Sequence, residues 1–436
     1  MAKIYYARVD ENWRREQKYV FLDETQYCGQ VEWQALQPDA RQTWLTEGME
    51  ADFETFLPLG VRETKGSDAN VIFNLFSLGV GTNRDEWVYA FGQMDLEEKV
   101  SKLVDNYNLE VVRYSQAKLK TDIELFINND PSFMKWTDRL KEALTQRKAI
   151  SLEQEQIRGA IYRPFVKTFL YFDHLLNQRR YQAHLFFPTS SSDNWLICVG
   201  GYGRKPFSVF ATNNIPDLNF YADPGQCFPF YTYSEDGTNR RENITDWALE
   251  QFRQHYQDTA ITKWDIFHYV YSVLHHPFYR ERYAANLKRE LPRIPFAPDF
   301  HAFASAGKQL AELHVNYEQQ PEYPLEKLEA VNKSLDWRVE KMKLSKDKRR
   351  IVYNDFLTLD GIPMEAFEYR LGNRSALEWV IDQYQVTTDK RSGITNDPNR
   401  TDDPSYIVRL IGQVITVSLE TMKLVQGLPD LGINQE

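Results

Sequence analysis

The spacing of apolar residues switches between helical and strand-like along this chain, and each switch marks an element. Residues 1 to about 50 mix charged and aromatic side chains at helix-compatible spacing, and FETFLPLG, residues 53–60, opens a new unit. Residues 71–91 predict two strands, VIFNLF and WVYAF, flanking a glycine turn in the manner of a β-hairpin. Helical patterns follow from 95 to about 128 and over 133–150. Between 158 and 230 the texture changes to short β-rich runs, AHLFFPT, WLICVGG and FSVFATN, bounded by Gly, Pro, Asn and Ser. Helices return over 245–287, stop at the proline-bounded LPRIPF, and resume with FHAFASAGKQLAELH at 300–314. Residues 337–375 read as strands. In the last helix Asp403 is expected to cap, Pro404 to fit the first turn, and Ile407, Leu410, Ile411, Val414 and Met422 to share one face. Gly427-Leu428-Pro429 stops it. The class is α+β, with a β-rich middle and a helical C-terminal region. The expected parts are an N-terminal helical connecting segment (1–52), an α+β domain (53–298) and a C-terminal strand-and-helix subdomain (299–436).

Composition adds bounds. A chain of 436 residues, 42% hydrophobic, can bury a large core and more than one domain. Its three cysteines, Cys28, Cys198 and Cys227, lie far apart in sequence, with neither metal-ligand spacing nor an even disulfide framework. A reducing cytoplasm is the natural compartment. The N-terminal residues lack the apolar stretch of a signal peptide, and no run approaches the roughly 20 apolar residues that span a bilayer. No membrane association is expected. The net charge of −10 argues against nucleic acid, but only weakly, because a large protein meets DNA with one face.

Gly79 and Gly81 follow a strand, which invites a cofactor loop. The dinucleotide fingerprint needs a third glycine where this chain has Arg84, and a strand-like WVYAF follows where a helix is needed. The NPPY and DPPY motifs of amino-methyltransferases are absent from these residues. A hairpin turn accounts for the glycines, and no cofactor is expected. His275 and His276 are neighbours whose side chains diverge by about 100° on a helix, so they rarely share a metal; they and His174 read as structural. No Walker loop, Gly-x-Ser-x-Gly or cysteine–histidine signature is present, and no catalytic or metal site is expected. What remains are basic and aromatic clusters. Tyr162-Arg163-Pro164-Phe165 is followed by Lys167 and by Asn177-Gln178-Arg179-Arg180-Tyr181. Arg204 and Lys205 sit in a glycine-rich turn, and the stretch 338–350 holds seven basic residues against two acidic ones. Each run alone suits a solvated loop; several beside strands suit a phosphate-contacting surface.

Together these segments resemble the C-terminal specificity region of type ISP restriction–modification enzymes, single chains that join nuclease, helicase-like motor, adenine methyltransferase and target recognition domain. The matching stretches include FLPLGVRETK, FSLGVGTNRDEWVYAF, YRPFVKTFLYFDHLL and SGITNDPN; the most specific are YSVLHHPFYRERY with LPRIPF, and RSALEWVIDQYQ. The likeness runs from about residue 3 to about 428, and nothing in it corresponds to the nuclease, the motor or the methyltransferase motifs. The resemblance implies a β-rich DNA-recognition portion that is not an enzyme by itself. Its implied partners are double-stranded DNA and methyltransferase and helicase–nuclease modules in cis or in trans. The residues nominated for DNA contact are Thr82, Asn83, Arg84, Arg163, Arg179, Arg180, Arg204, Lys205, Lys346 and Arg349, with Asp85 orienting Arg84 through a salt bridge. The alternatives are a self-contained S-adenosylmethionine-dependent DNA methyltransferase and a protein-interaction module.

Overall fold

The computed structural model describes residues 3–10, 13–38, 42, 44–61, 70–117, 122–201 and 205–433. The chain forms two compact units, residues 1–50 and residues 51–436. In the first, strands Ile4–Tyr6 and Gln34–Leu36 pair antiparallel around the helix Arg15–Thr25, which buries none of its residues.

The second unit is built on three four-stranded sheets. One has the order Ile215–Pro216, Ile157–Arg163, Val166–Tyr171, Tyr89–Ala90; the next runs Ser77–Leu78, Gln226–Pro229, Leu196–Gly200, Ser208–Thr212. The third, Glu326–Glu329, Leu357–Asp360, Arg350–Val352, Lys343–Leu344, accounts for the strand pattern expected at 337–375. Leu196–Gly200 and Ser208–Thr212 are buried at every position, which explains their unbroken apolar runs. Cys198 and Cys227, 29 residues apart, become cross-strand partners with their Sγ atoms 3.3 Å apart, and both are free thiols.

The helix Lys263–His275 begins with a capping box, in which Thr262 accepts from the Asp265 N–H and Asp265 from that of Thr262. From Ile266 to His275 it is buried on every side, as a helix inside a core must be. Phe300–Val315 packs along it, so closely that a Cβ at Gly307 would lie 1.8 Å from the His268 carbonyl oxygen. Phe300, Phe303 and Leu310 share one core cluster with Phe267, Tyr269 and Val270. The core therefore runs across residue 298 instead of parting there. The final helix is Tyr406–Gln426; Ile407, Leu410, Ile411 and Val414 are buried and Met422 half-buried, as expected. Ser405, not Asp403, occupies the position before its first turn, and Asp403 instead pairs with Arg409. The helical pattern over 133–150 shrinks to Asp138–Thr145.

Candidate nucleic-acid interface

The run from Ser77 to Phe91 is not a hairpin. Ser77–Leu78 pairs with Gln226–Pro229, whereas Tyr89–Ala90 pairs with Val166–Tyr171 in a different sheet. Between them Val80 bridges to Asp217 and Gly81 to Arg179, and Asp85–Val88 forms one helical turn. Trp87 and Val88 of WVYAF are thus helical, in the turn that carries the chain from one sheet to the other. Gly79 sits where two backbones touch: a Cβ there would lie 2.3 Å from the Asp217 carbonyl oxygen. Close chain packing accounts for this glycine without a ligand. Gly79→Ala is expected to destabilise the 51–436 unit by about 2 kcal/mol, read as a lower urea midpoint at unchanged slope; an unchanged midpoint would show that the contact is not tight.

The turn points its polar residues in opposite directions. Thr82 is buried; its hydroxyl accepts from the Arg84 N–H at 3.1 Å and donates to Asp85 Oδ1. Arg84 is also fully buried, and its Nη2 donates to Thr137 Oγ1 at 2.6 Å. Its Nε and Nη1 find no hydrogen-bond partner among the described residues. Burial pushes the Arg84 guanidinium down to about 9, against the pull of Glu86 and Asp173, so it remains a cation at neutral pH. Asp85 accepts from Tyr162 OH at 2.9 Å instead of pairing with Arg84. Only Asn83 faces solvent, in the left-handed conformation (φ 57°) that asparagine tolerates better than most residues. Thr82 and Arg84, expected to reach outward, instead hold the turn from within.

Arg163 is likewise turned inward. It follows Tyr162 at the end of a hairpin whose turn places Phe165 at φ 63°, fully buried against Phe210, Tyr317 and Tyr369. Its Nη1 donates to Asp217 Oδ1 at 2.6 Å and to the Tyr162 carbonyl at 2.5 Å, and its guanidinium lies 3.9 Å from the centre of the Tyr162 ring. Burial opposes its charge, but Tyr162 and Asp217 outweigh that and raise its pKa. Burial lifts the Asp217 carboxyl to about 6, even with Arg163 beside it. At neutral pH the two form a buried ion pair, and removing either partner would strand a charge. Arg180 is half-buried over Phe172 at 5.2 Å, and Lys205 donates to the carbonyls of Ala222 at 2.5 Å and Tyr221 at 3.2 Å. Arg204 lies outside the described residues.

The outward set is smaller. The Arg179 backbone exchanges hydrogen bonds with Gly81 at 2.8 and 2.9 Å, which fixes it beside the turn while its side chain is exposed. Lys346 and Arg349 are exposed on the tip joining Lys343–Leu344 to Arg350–Val352, a tip shaped by Lys348 at φ 59°. Lys348 itself reaches Glu378 at 2.9 Å.

The fold adds residues that sequence reasoning did not single out. Asn83 and Gln178 line a cavity of about 370 Å³ together with Lys135, Trp136, Thr137 and Asp138. The available signal was Thr137-Asp138, a helix-start pair next to a lysine and a tryptophan, but nothing local links it to residue 83 or 178. The rim combines two amides with Lys135 and the exposed carboxylate of Asp138, and Arg179, next to Gln178 in sequence, is exposed, whereas Arg139 Nη1 donates to the His174 carbonyl at 2.9 Å. Amides and cations of this kind read base edges and hold phosphates. His275 and His314 are buried, and no group of three or more His, Cys, Asp or Glu among the described residues could hold a metal. No described helix is long and apolar enough to cross a membrane.

Comparison with known proteins agrees with this picture. No curated protein matches the chain. Among solved structures, a nuclease-deletion mutant of the Type ISP restriction–modification enzyme LlaGI, in complex with a DNA substrate mimic, superposes on 99% of this chain with a TM-score of 0.87 and 33% identity. The match covers 40% of the LlaGI chain. The DrdV–DNA complex matches 99% of this chain and 44% of its own, with a TM-score of 0.86 and 37% identity. The ATP-dependent Type ISP enzyme LlaBIII bound to DNA matches 95% of this chain and 26% of its own, with a TM-score of 0.82 and 30% identity. This chain therefore spans less than half the length of each. The Type ISP C-terminal specificity domain family matches residues 71–410, which hold the sheets, the turn at 79–85 and the cavity beside it. With that match running through nearly the whole second unit, the chain belongs to the family of Type ISP C-terminal specificity domains.

Proposed function

We propose that this chain recognises a specific sequence in double-stranded DNA as the specificity part of a restriction–modification enzyme. Cleavage and adenine methylation would be carried by nuclease, motor and methyltransferase modules outside it. The observation that carries this reading is the match of 95–99% of the chain to three enzymes solved with DNA, at 30–37% identity. Of the nominated residues, Asn83, Arg179, Lys346 and Arg349 are exposed and free to contact a duplex. In this reading Asn83 reads a base edge and the cations hold phosphates, while Arg84, Arg163 and Lys205 shape the surface from below. An S-adenosylmethionine site at Gly79 and Gly81 is not favoured, because backbone packing already explains Gly79. A cytoplasmic location belongs to the same reading, since the DNA is there.

The test is selection from a random-sequence duplex library at two salt concentrations. An enriched motif is expected, with binding that weakens steeply as salt rises; no enrichment and no salt dependence would refute the reading. Asn83→Gly keeps the left-handed backbone and removes the amide. It is expected to cost about 1–3 kcal/mol on the enriched site and little on random duplex. A Lys346→Ala, Arg349→Ala double variant is expected to weaken all sequences alike. Equal losses on both kinds of DNA for Asn83→Gly would remove it from base reading.

A further inference from the structure

We infer that the cavity walled by Tyr89, Phe91 and Tyr162 takes one amino-bearing nucleobase, adenine or cytosine, that has left its stack in the duplex. This rests on the DNA-recognition reading above.

The cavity, of about 250 Å³, lies where three stretches distant in sequence meet, 85–91, 162–168 and 382–396. It is smaller than the roughly 300–1,000 Å³ of sites for drug-sized ligands, so it suits a single heterocycle and excludes a paired duplex. Part of its wall is aromatic: the rings of Tyr89 and Tyr162 lie 5.0 Å apart, centre to centre, and Phe91 adds a third. Every base offers a π-face to such rings. Gln383, Gln385 and Asn396 supply amides. Gln383 Nε2 donates to Asp382 Oδ2 and Gln385 Nε2 to the Asp382 carbonyl, each at 2.7 Å, so both keep their side-chain oxygens for an incoming N–H. Asn396 Oδ1 accepts from Lys99 Nζ, which leaves its NH₂ to donate. Acceptors together with a donor match adenine or cytosine, in which an amino group adjoins a ring nitrogen. Thr168, 7% exposed, also lines the cavity, and its Oγ1 has no hydrogen-bond partner among the described residues. A buried hydroxyl is costly to leave unmatched, and a base edge would match it.

The local charges favour a neutral ligand. Asp85 and Asp382 line the cavity, with Asp217 and Asp95 behind them, against Arg163, Arg374 and Lys99. That balance is negative and repels a phosphate. A cation would find both lining carboxylates engaged. Asp85 accepts from Thr82 Oγ1 and Tyr162 OH, and Asp382 from Gln383, with Arg374 3.4 Å away. What remains is an uncharged ligand with N–H donors and a flat face. DNA is the favoured source because Asp85 also ties the cavity to the outward turn: it holds Thr82, whose neighbour Asn83 is exposed. The cavity is reachable from solvent, with Thr387 exposed and Asp85, Gln383, Gln385 and Asn396 half-buried. A base enters it only by leaving the stack, which costs least where the base is unpaired.

The test uses the full chain and compares fully paired random-sequence duplex with the same duplex carrying one unpaired adenine opposite an abasic position. The wild type is expected to bind the second about tenfold more tightly. Gln383→Leu and Thr168→Val are each expected to lose most of that preference and to bind the paired duplex as the wild type does. Gln383→Leu, at a half-buried position, keeps the test decisive if Thr168→Val fails to fold. A wild type that binds paired duplex but shows no preference would overturn the pocket while leaving the recognition reading intact. A preference kept in full by folded Gln383→Leu would do the same. Deoxyadenosine and methylammonium ion, each followed as a thermal midpoint, separate the other occupants. Stabilisation by deoxyadenosine that is lost in Gln383→Leu, with no preference between the duplexes, would overturn the DNA source in favour of a free nucleoside. Stabilisation by methylammonium in its place would overturn the base in favour of a cationic side chain. If the wild type binds no duplex, the recognition reading fails and the proposal with it.

Discussion

Gly307→Ala is expected to destabilise the 51–436 unit by about 3 kcal/mol, although alanine is the better helix former. The usual gain from replacing glycine within a helix is about 1 kcal/mol. Against it stands a Cβ placed 1.8 Å from the His268 carbonyl oxygen and 2.6 Å from its carbonyl carbon. Those are backbone atoms of a helix buried on every side, so no side chain can swing away to relieve the overlap. The two helices must separate, opening the packing of Phe267, Val270, Phe303 and Leu310 along their seam. Ser305→Ala, an exposed position on the same helix, is the control and is expected to be neutral or slightly stabilising. Equilibrium urea unfolding measures both. A Gly307→Ala midpoint at or above that of the wild type would show that the helices can part cheaply.

The second large effect is acid sensitivity from buried neutral histidines. His314 is enclosed: the Tyr271 hydroxyl bonds its Nδ1 at 2.5 Å, its Nε2 meets Thr421 Oγ1 at 2.8 Å, and its ring stacks on Tyr369 and Phe210. His275 donates from Nδ1 to the Tyr271 carbonyl at 2.8 Å, with Nε2 buried and unpartnered. Burial holds His314 well below 6.5, with His275 adding to it, and burial brings His275 down to about 3, with Arg280 acting in the same sense. Below pH 6.5 the unfolded chain protonates these rings and the folded chain does not. The stability they contribute is therefore complete above 6.5 and is lost as pH falls from 6.5 toward 3. At 1.36 kcal/mol per unit, the loss from His275 between pH 6.5 and 4.5 is about 2 kcal/mol, and His314 adds to it in the same direction.

Asp217 acts in the opposite direction. Its folded value of about 6 lies above the unfolded one, so below pH 6 the folded chain takes up the extra proton and gains about 2 kcal/mol by pH 4.5. With His314 and His268 acting in the same sense as His275, the histidines win, and a net fall in stability is expected over that window. His268, held down to about 4 mainly by burial, adds to the fall. Urea midpoints between pH 7.5 and 4.5 measure it, and His314→Gln should flatten the curve by about one proton. A flat curve in the wild type would mean that these rings are already protonated in the fold or open to water.

The local pattern of residues was enough for several elements. The helices at 300–315 and 406–426 follow from apolar spacing with polar residues at their starts, and the buried strands at 196–200 and 208–212 from continuous apolar runs. These signals are local: a helix shows its period within itself, and a strand its burial. The run at 77–91 shows where such signals stop. Both of its strands exist, yet each pairs with a segment about 80 to 150 residues away, and period-2 spacing contains no partner address. The same limit hid the cross-strand neighbours Cys198 and Cys227.

For the site, the sequence alone determined membership of the family, the region of the turn and which cations and amides were available. Only the tertiary structure decided their direction. Arg84, Arg163 and Lys205 look as eligible in the sequence as Arg179, but one is buried on Thr137, one is paired with Asp217 and one is bound to backbone carbonyls. Lys135 and Thr137, unremarkable on their own, come to lie beside Asn83 and Gln178. The physical reason is that a charged side chain takes its direction from partners distant in sequence, since burial without them is too costly. A motif can show that a charge is present, while the packing of the whole unit decides whether it faces the core or the solvent.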